Sequence, residues 1–420
     1  MNVLWEPELG QEESHWLDVV RTLNREHFAP LAAELDRDQR YPWENVEKLV
    51  DAGIPGLMID REFGGHGAQL TTGVTVMTEL TRACAATGAI FAIQAMGANS
   101  LAGAGSTEQK EYYLSEVVAG RAISFALTER GAGSDPSAIQ ATGTRVGDDW
   151  HLNGEKIFIG NGGASEHYIA FVRTDPSAGR RGISAIMTSL SDEGTEVTKY
   201  ADRMGLRGSR TSNLMMDTLV PGDRLLGEPG DGLRIAMATL NTGRVMIAAQ
   251  GIGFALAAYE YAANEAVRRS TFGQPIMDNQ GISFPLADLA TEISAARMLT
   301  WEAAQAGPDS PRTRALASMA KLKATEVAGK AVDVAVQVFG GDGYCKPNPV
   351  EQLYRDQRIS TIYEGTSEIQ RLSLGRMIAQ AAESGAYQPY REVTTAYGHA
   401  PFGERDAQPE IPVLDHEVAR

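Results

Sequence analysis

The chain has 420 residues, 43% hydrophobic and 22% charged, long enough for two or three packed domains and unlike a disordered or fibrous composition. Its formal charge of −16, with no run of Lys and Arg, argues against nucleic acid as a partner, although a few placed arginines can still hold a phosphorylated cofactor. Cys84 and Cys345 are its two cysteines, with no CxxC or Cys/His spacing, so no metal site or disulfide framework is expected and a cytoplasmic protein fits best.

The N-terminus carries early acidic residues and no basic-then-apolar pattern, so no leader is expected there. Residues 1–121 then show apolar residues at three- and four-residue spacing, which predicts an all-α domain. Over 122–233 the texture changes to short β-branched and aromatic runs, with GDD, NG and PGD as turn chemistry, which predicts an antiparallel β domain. Helical periodicity returns over 234–385 in long Ala-rich faces suited to a helix bundle. Residues 245–263 are the most apolar, but Gln250, Gly251, Gly253 and Glu260 interrupt them, so a buried helix is expected and not a membrane insertion. Residues 386–420 turn to Pro, Gly, Tyr and charge and read as a tail. The fold class is therefore α+β, in the order α, β, α.

Five runs carry candidate chemistry. FALTERGAGSD, 125–135, is a strand entering a small-residue loop whose backbone N–H groups can approach an oxygen closely; one GxG loop alone equally suits an ordinary turn. KIFIGNGG, 156–163, places Phe158 before another such turn, where an aromatic face could lie against a planar ring or simply pack in a core. In RRSTFGQP, 268–275, Arg269 could hold a pyrophosphate or complement a helix end. QVFGGDGY, 337–344, has Gly340 and Gly341 where a helix C-cap would stand. In YRDQRISTIYEGTSEIQR, 354–371, Glu364 sits in a turn just before a helical pattern that Thr366 or Ser367 could cap.

In this order and at these separations the five runs resemble the acyl-CoA dehydrogenase family over roughly residues 10 to 385. The resemblance implies a helical domain, a β domain and a C-terminal four-helix bundle, a homotetramer or homodimer, and FAD at a subunit interface. It places Phe125, Leu127, Thr128, Ser134, Phe158, Gly160, Thr366 and Glu368 at the flavin, and Arg269, Phe272, Gln280, Gln337 and Gly341 of a neighbouring subunit at the pyrophosphate and adenosine end. Ser134, Asn241, Arg244 and Tyr363 would meet the substrate. It also implies that Glu364 takes the proton alpha to an acyl thioester while the β hydride passes to FAD, giving a trans-2-enoyl product, with electrons going on to electron-transfer flavoprotein. Some members carry the base on the helix of Asn241 and Arg244; Gly243 stands at that position here, which leaves Glu364.

Two departures from the family pattern stand out. Gly160 replaces a Ser or Thr near the flavin edge, and Arg130 replaces a Pro. An ungapped comparison puts Gln94, Met96, Gly97 and Ala98 at the far end of the acyl pocket, where small residues would admit a bulky group. An acyl-carrier-protein thioester in place of acyl-CoA, a flavin oxidase or monooxygenase, and a flavin-containing DNA-binding relative are the competing readings; the last needs a basic groove that the sequence does not offer.

Overall fold

The computed structural model describes residues 3–307 and 310–388. Helices come first: α1 (Gln11–Leu23), α2 (Ala29–Asp38), α3 (Trp43–Asp51), α4 (Leu70–Ala83), α5 (Ala85–Ala104) and α6 (Thr107–Val118). α5 is buried along most of its length, and α6 starts at a capping box in which Ser106 and Gln109 satisfy each other's backbone N–H groups.

The strands are β1 (Ile123–Ala126), β2 (Thr142–Val146), β3 (Asp149–Gly160), β4 (His167–Arg173), β5 (Ile183–Ser189), β6 (Thr195–Tyr200), β7 (Thr211–Val220) and β8 (Leu225–Leu226). They form one sheet in the order β6-β7-β3-β2-β4-β5-β8, with β1 added on β4. The sheet is mixed, not wholly antiparallel: β1 and β2 each pair with β4 in parallel. Hydropathy alternation carries no sign of strand direction, and the β2–β3 hairpin serves as the crossover that a parallel β1–β4 pair requires. The NG dipeptide also departs from expectation. Asn153 and Gly154 lie inside β3, where Gly154 at φ 140° allows close approach, since a Cβ there would meet the Ala141 methyl at 2.6 Å.

The rest is helical: α7 (Gly232–Arg268), a two-residue hairpin of β9 (Ser270–Thr271) and β10 (Gln274–Pro275), α8 (Gln280–Gln305), α9 (Pro311–Phe339), α10 (Gly341–Tyr344), α11 (Pro349–Gln357) and α12 (Ser367–Glu383). α7 is long and apolar enough to cross a membrane, yet 83% of its most apolar window is buried inside the fold. Its glycines serve packing. A Cβ on Gly251 would stand 3.0 Å from the Ala324 backbone of α9, and one on Gly253 2.6 Å from the Thr78 carbonyl of α4, so helices close on α7 from two sides. The described residues up to Gly375 form one compact unit, and the end of α12 from Arg376 onward belongs to a second. Of the sequence-predicted tail, residues 389–420 lie outside the described residues.

Candidate active site

The five runs fall into three groups. In the β domain, the loop after β1 and the bulged strand β3 are tied together: Ile157 N donates to Thr128 O at 2.8 Å. Lys156, fully buried, donates to Glu129 at 2.6 Å, to Leu127 O at 3.3 Å and to Phe171 O. Glu129 in turn accepts from the backbone N–H groups of Gln140 and Ala141 at 2.7 and 3.0 Å. Burial brings the Lys156 ammonium down to about 8, and its pair with Glu129 holds it from falling further. A register shift against β7 between Lys156 and Ile159 throws Phe158 outward at φ 58°, leaving it 67% exposed. Phe125 and Leu127 are buried, Thr128 is half-buried, and Ser134 and Arg130 are exposed, the latter 3.9 Å from Glu155.

Gly160 is overlain by α5. A Cβ there would overlap Ile93 Cδ1 and stand 3.0 Å from its Cγ1, so a threonine at 160 would have to displace Ile93 before it offered a hydroxyl. Gly97 and Ala98 differ from their expected role in the acyl pocket: a Cβ on Gly97 would overlap the Ile123 carbonyl, and Ala98 belongs to the core between α5 and the sheet. Their small size is spent on letting α5 lie against β1. Gln94 is buried with its Oε1 unpartnered.

The second group surrounds Glu364. The turn before α12 runs through two left-handed residues, Glu364 at φ 52° and Gly365 at φ 90°. Thr366 Oγ1 caps α12 by accepting from Ile369 N at 3.2 Å, while the Ser367 hydroxyl is buried without a partner. Gln370 Nε2 holds the turn from behind, donating to Gly365 O at 2.9 Å and Glu364 O at 3.3 Å. Lys321, fully buried on α9, donates to Gly365 O at 2.7 Å. The Tyr363 hydroxyl donates to Gln250 Oε1 on α7, and burial raises the phenol above its ordinary range.

Glu364 sends its carboxylate onto α7, where a Cβ on Gly243 would overlap Oε2. That oxygen is buried and unpartnered. Burial pushes the carboxyl up to about 7 against the pull of Lys321 and Arg244. Arg244 donates to Asn241 Oδ1 at 3.1 Å, and burial lowers its guanidinium while Glu364 opposes. The group thus offers an ionisable carboxylate near neutral pH with a free oxygen, facing a helix that has no side chain in its way.

The third group stands at the other end of α7. Arg269, its C-cap, donates to Phe339 O at 2.9 Å, which joins RRSTFGQP to QVFGGDGY at the end of α9. The hairpin turn of Phe272 and Gly273, at φ 52° and 83°, leaves the Phe272 ring fully exposed. Gln337, Gly341 and Gln280, the first residue of α8, are exposed as well. From Gly243 to Arg268 is roughly 38 Å of continuous helix at the standard rise. Glu368 is exposed at the start of α12, where its own backbone N–H and Thr366 hold its carboxyl low.

Lys321, Lys156, Gln370, Gln250 and Ile93 were not singled out by motif. Lys321 had a signal: Ala317, Lys321, Ala324 and Ala328 share one buried helical face, so the lysine breaks an apolar stripe. Three domain profiles match the chain in order: acyl-CoA dehydrogenase N-terminal domain over residues 10–121, middle domain over 124–219 and C-terminal domain over 230–379. The chain is 41% identical over 371 residues to an acyl-CoA dehydrogenase of Bacillus subtilis (strain 168), covering 88% of this chain and 98% of that protein. It is 39% identical over 368 residues to the mitochondrial short-chain specific acyl-CoA dehydrogenase of Bos taurus, covering 87% and 89%. Among solved structures, butyryl-CoA dehydrogenase from Megasphaera elsdenii superposes with a TM-score of 0.86 at 35% identity, covering 89% of this chain and 100% of that one.

Proposed function

Because the chain belongs to the acyl-CoA dehydrogenase family, whose members are FAD-dependent oxidoreductases, we propose that it oxidises a short acyl-CoA across Cα and Cβ with Glu364 as the base. The observation that carries this reading is the Glu364 carboxylate, seated over Gly243 with one buried oxygen unpartnered and its pKa raised to about 7. A carboxylate of that strength is ionised in a useful fraction at neutral pH and is a stronger base than an exposed one. The short-chain preference follows the names of two relatives, the bovine short-chain enzyme and butyryl-CoA dehydrogenase.

The α C–H is a weak acid, so the thioester carbonyl must be polarised by donors that strengthen their hold as enolate charge develops. The Glu364 backbone N–H is the protein donor for that role, and the left-handed turn at 364–365 sets its direction. Glu364 takes the α proton onto its carboxylate. Tyr363, Asn241, Arg244 and Ser134 flank the substrate, and substrate lying over Glu364 excludes water from the carboxylate.

The residues fit FAD. An outward aromatic ring at Phe158, another at Phe272, and open space where a Cβ would stand on Gly131, Gly133 and Gly341 suit a flat ring system and a diphosphate. FAD, when bound, supplies the acceptor for the hydride that leaves Cβ. Phe125, Leu127, Thr128, Ser134, Phe158, Gly160, Thr366 and Glu368 would hold its ring end, and Arg269, Phe272, Gln280, Gln337 and Gly341 its other end. The separation along α7 supports supply of those two sets by different subunits, hence a homodimer or homotetramer. Electron-transfer flavoprotein is the proposed acceptor and the cytoplasm the proposed compartment.

The test is an anaerobic titration of the purified protein with acyl-CoA thioesters of graded length, following the visible flavin band. Bleaching strongest with short chains, and lost in Glu364→Gln, supports the reading. No bleaching by any CoA thioester despite bound flavin would sink it in favour of a carrier-protein thioester, and rapid peroxide formation in air would favour an oxidase.

A further inference from the structure

Burying an ammonium on an apolar helix face is costly, and helix α9 carries one in Lys321. Among the described residues, the gains that offset this lie at the Glu364 turn and at Glu368 just after it. Lys321 Nζ donates to Gly365 O at 2.7 Å, and its charge is felt by the Glu364 carboxylate. The turn needs such a hold. Glutamate at φ 52° is in a region that L side chains avoid, and it is followed by Gly365 at φ 90°. The tip must nevertheless keep the carboxylate in a slot with no room to spare over Gly243.

We propose that Lys321 is the positioning residue for Glu364: through the Gly365 carbonyl it fixes the left-handed step, and it places a positive charge beside the carboxylate that keeps this group ionisable in its buried slot. The proposal rests on the reading of Glu364 as the base, though the Lys321–Glu364 coupling can be measured without turnover. Other groups face the same carboxylate. Arg244 from α7 adds a second cation, tied to Asn241, and the Tyr363 phenol on the turn is coupled to the carboxylate, while Glu368 on α12 acts on Lys321 instead. Among these, Lys321 pulls hardest on Glu364 against its burial, and burial brings Lys321 itself down to about 8. Raising pH through that range removes the charge, so the seat loosens as the base becomes ionised. Gln370 grips the Gly365 carbonyl that Lys321 also holds, and the Glu364 carbonyl besides, with no charge, and so separates the two roles of tether and field.

The experiment follows the Glu364 carboxyl in the holoenzyme by infrared difference spectroscopy against Glu364→Gln, as a function of pH. Lys321→Met is expected to move the Glu364 midpoint up by about one to two units and the acid limb of the kcat/KM profile with it. Lys321→Arg should restore most of the shift. Gln370→Leu should leave the midpoint in place and lower kcat. If Lys321→Met does not fold, Lys321→Gln keeps a donor for Gly365 without the charge, and the midpoint must still rise. An unmoved midpoint in either neutral variant, or an equal shift in Gln370→Leu, overturns the proposal. Retained turnover in Glu364→Gln would remove the base reading alone, because the infrared midpoint decides Lys321 separately.

Discussion

Asp356 and Glu364 lie within one stretch of chain, and burial raises both carboxyls to about 7. Their surroundings differ. Asp356 Oδ1 accepts from Leu206 N at 2.6 Å, and its Oδ2 from Gln352 at 3.4 Å. Beside it, Arg355 pairs in a bidentate fashion with Asp36 of α2. Asp356 therefore fastens the 201–210 loop of the β domain to α11, and its oxygens are spoken for. Glu364 has a buried oxygen with no partner, a strained backbone and a glycine cleared in front of it. A raised pKa alone marks burial; the pKa together with an unused acceptor is what supports the proposal of Glu364, and not Asp356, as the base.

The sharpest way to break that comparison is to neutralise each carboxyl. Glu364→Gln should lower turnover by roughly 10³-fold or more, while Asp356→Asn, which keeps an oxygen for Leu206, should stay within about threefold. Steady-state kinetics on the two purified variants decides it, and comparable losses would dissolve the distinction. Next in size is Gly243→Ala. Its methyl overlaps Glu364 Oε2, so the carboxylate must move by a fraction of an ångström to about 1 Å, and kcat should fall roughly 10²-fold with little change in melting temperature. Asp356→Ala tests the other side. It leaves Leu206 N–H buried without an acceptor, and denaturant unfolding should report a loss of about 1–3 kcal/mol with kcat nearly unchanged in the folded fraction.

Most of the architecture was legible because hydropathy period follows the element that buries it: the long stripes became α4, α5, α7, α8 and α9, and the short runs became strands. Strand direction was not, because alternation looks the same either way, and the NG within β3 looked like a turn because Asn-Gly suits both a hairpin and a close approach. Motif residues were legible one by one. Their grouping came only with the family resemblance and not from spacing, because Arg269 meets Phe339 and Glu364 meets Gly243 across more than 60 residues of intervening chain. What stands beside Gly97 and Gly160 was hidden for the same reason: a missing side chain in sequence does not say that Ile123 lies against one and Ile93 against the other.

The smallest effect is in stability, and it tests the same contrast through pH. A carboxyl whose folded pKa is raised to about 7 from an ordinary 4.5 stabilises the fold fully below 4.5, and that contribution is lost as pH rises through 7. At pH 8 Glu364 is therefore an ionised buried group that opposes folding, partly offset by Lys321 and Arg244. Glu364→Gln removes the ionisation and leaves the shape, so it should match the parent near pH 4.5 and exceed it at pH 8, the pull of the two cations being already contained in the value of about 7. Asp356→Asn removes a similar ionisation but also weakens the hydrogen bond from Leu206, so its gain at pH 8 should be smaller. Paired unfolding curves at the two pH values give both numbers. An inactive Glu364→Gln that is less stable than the parent at pH 8 would mean that the carboxylate is held as part of the structure and that its free oxygen is not held in reserve for a substrate proton.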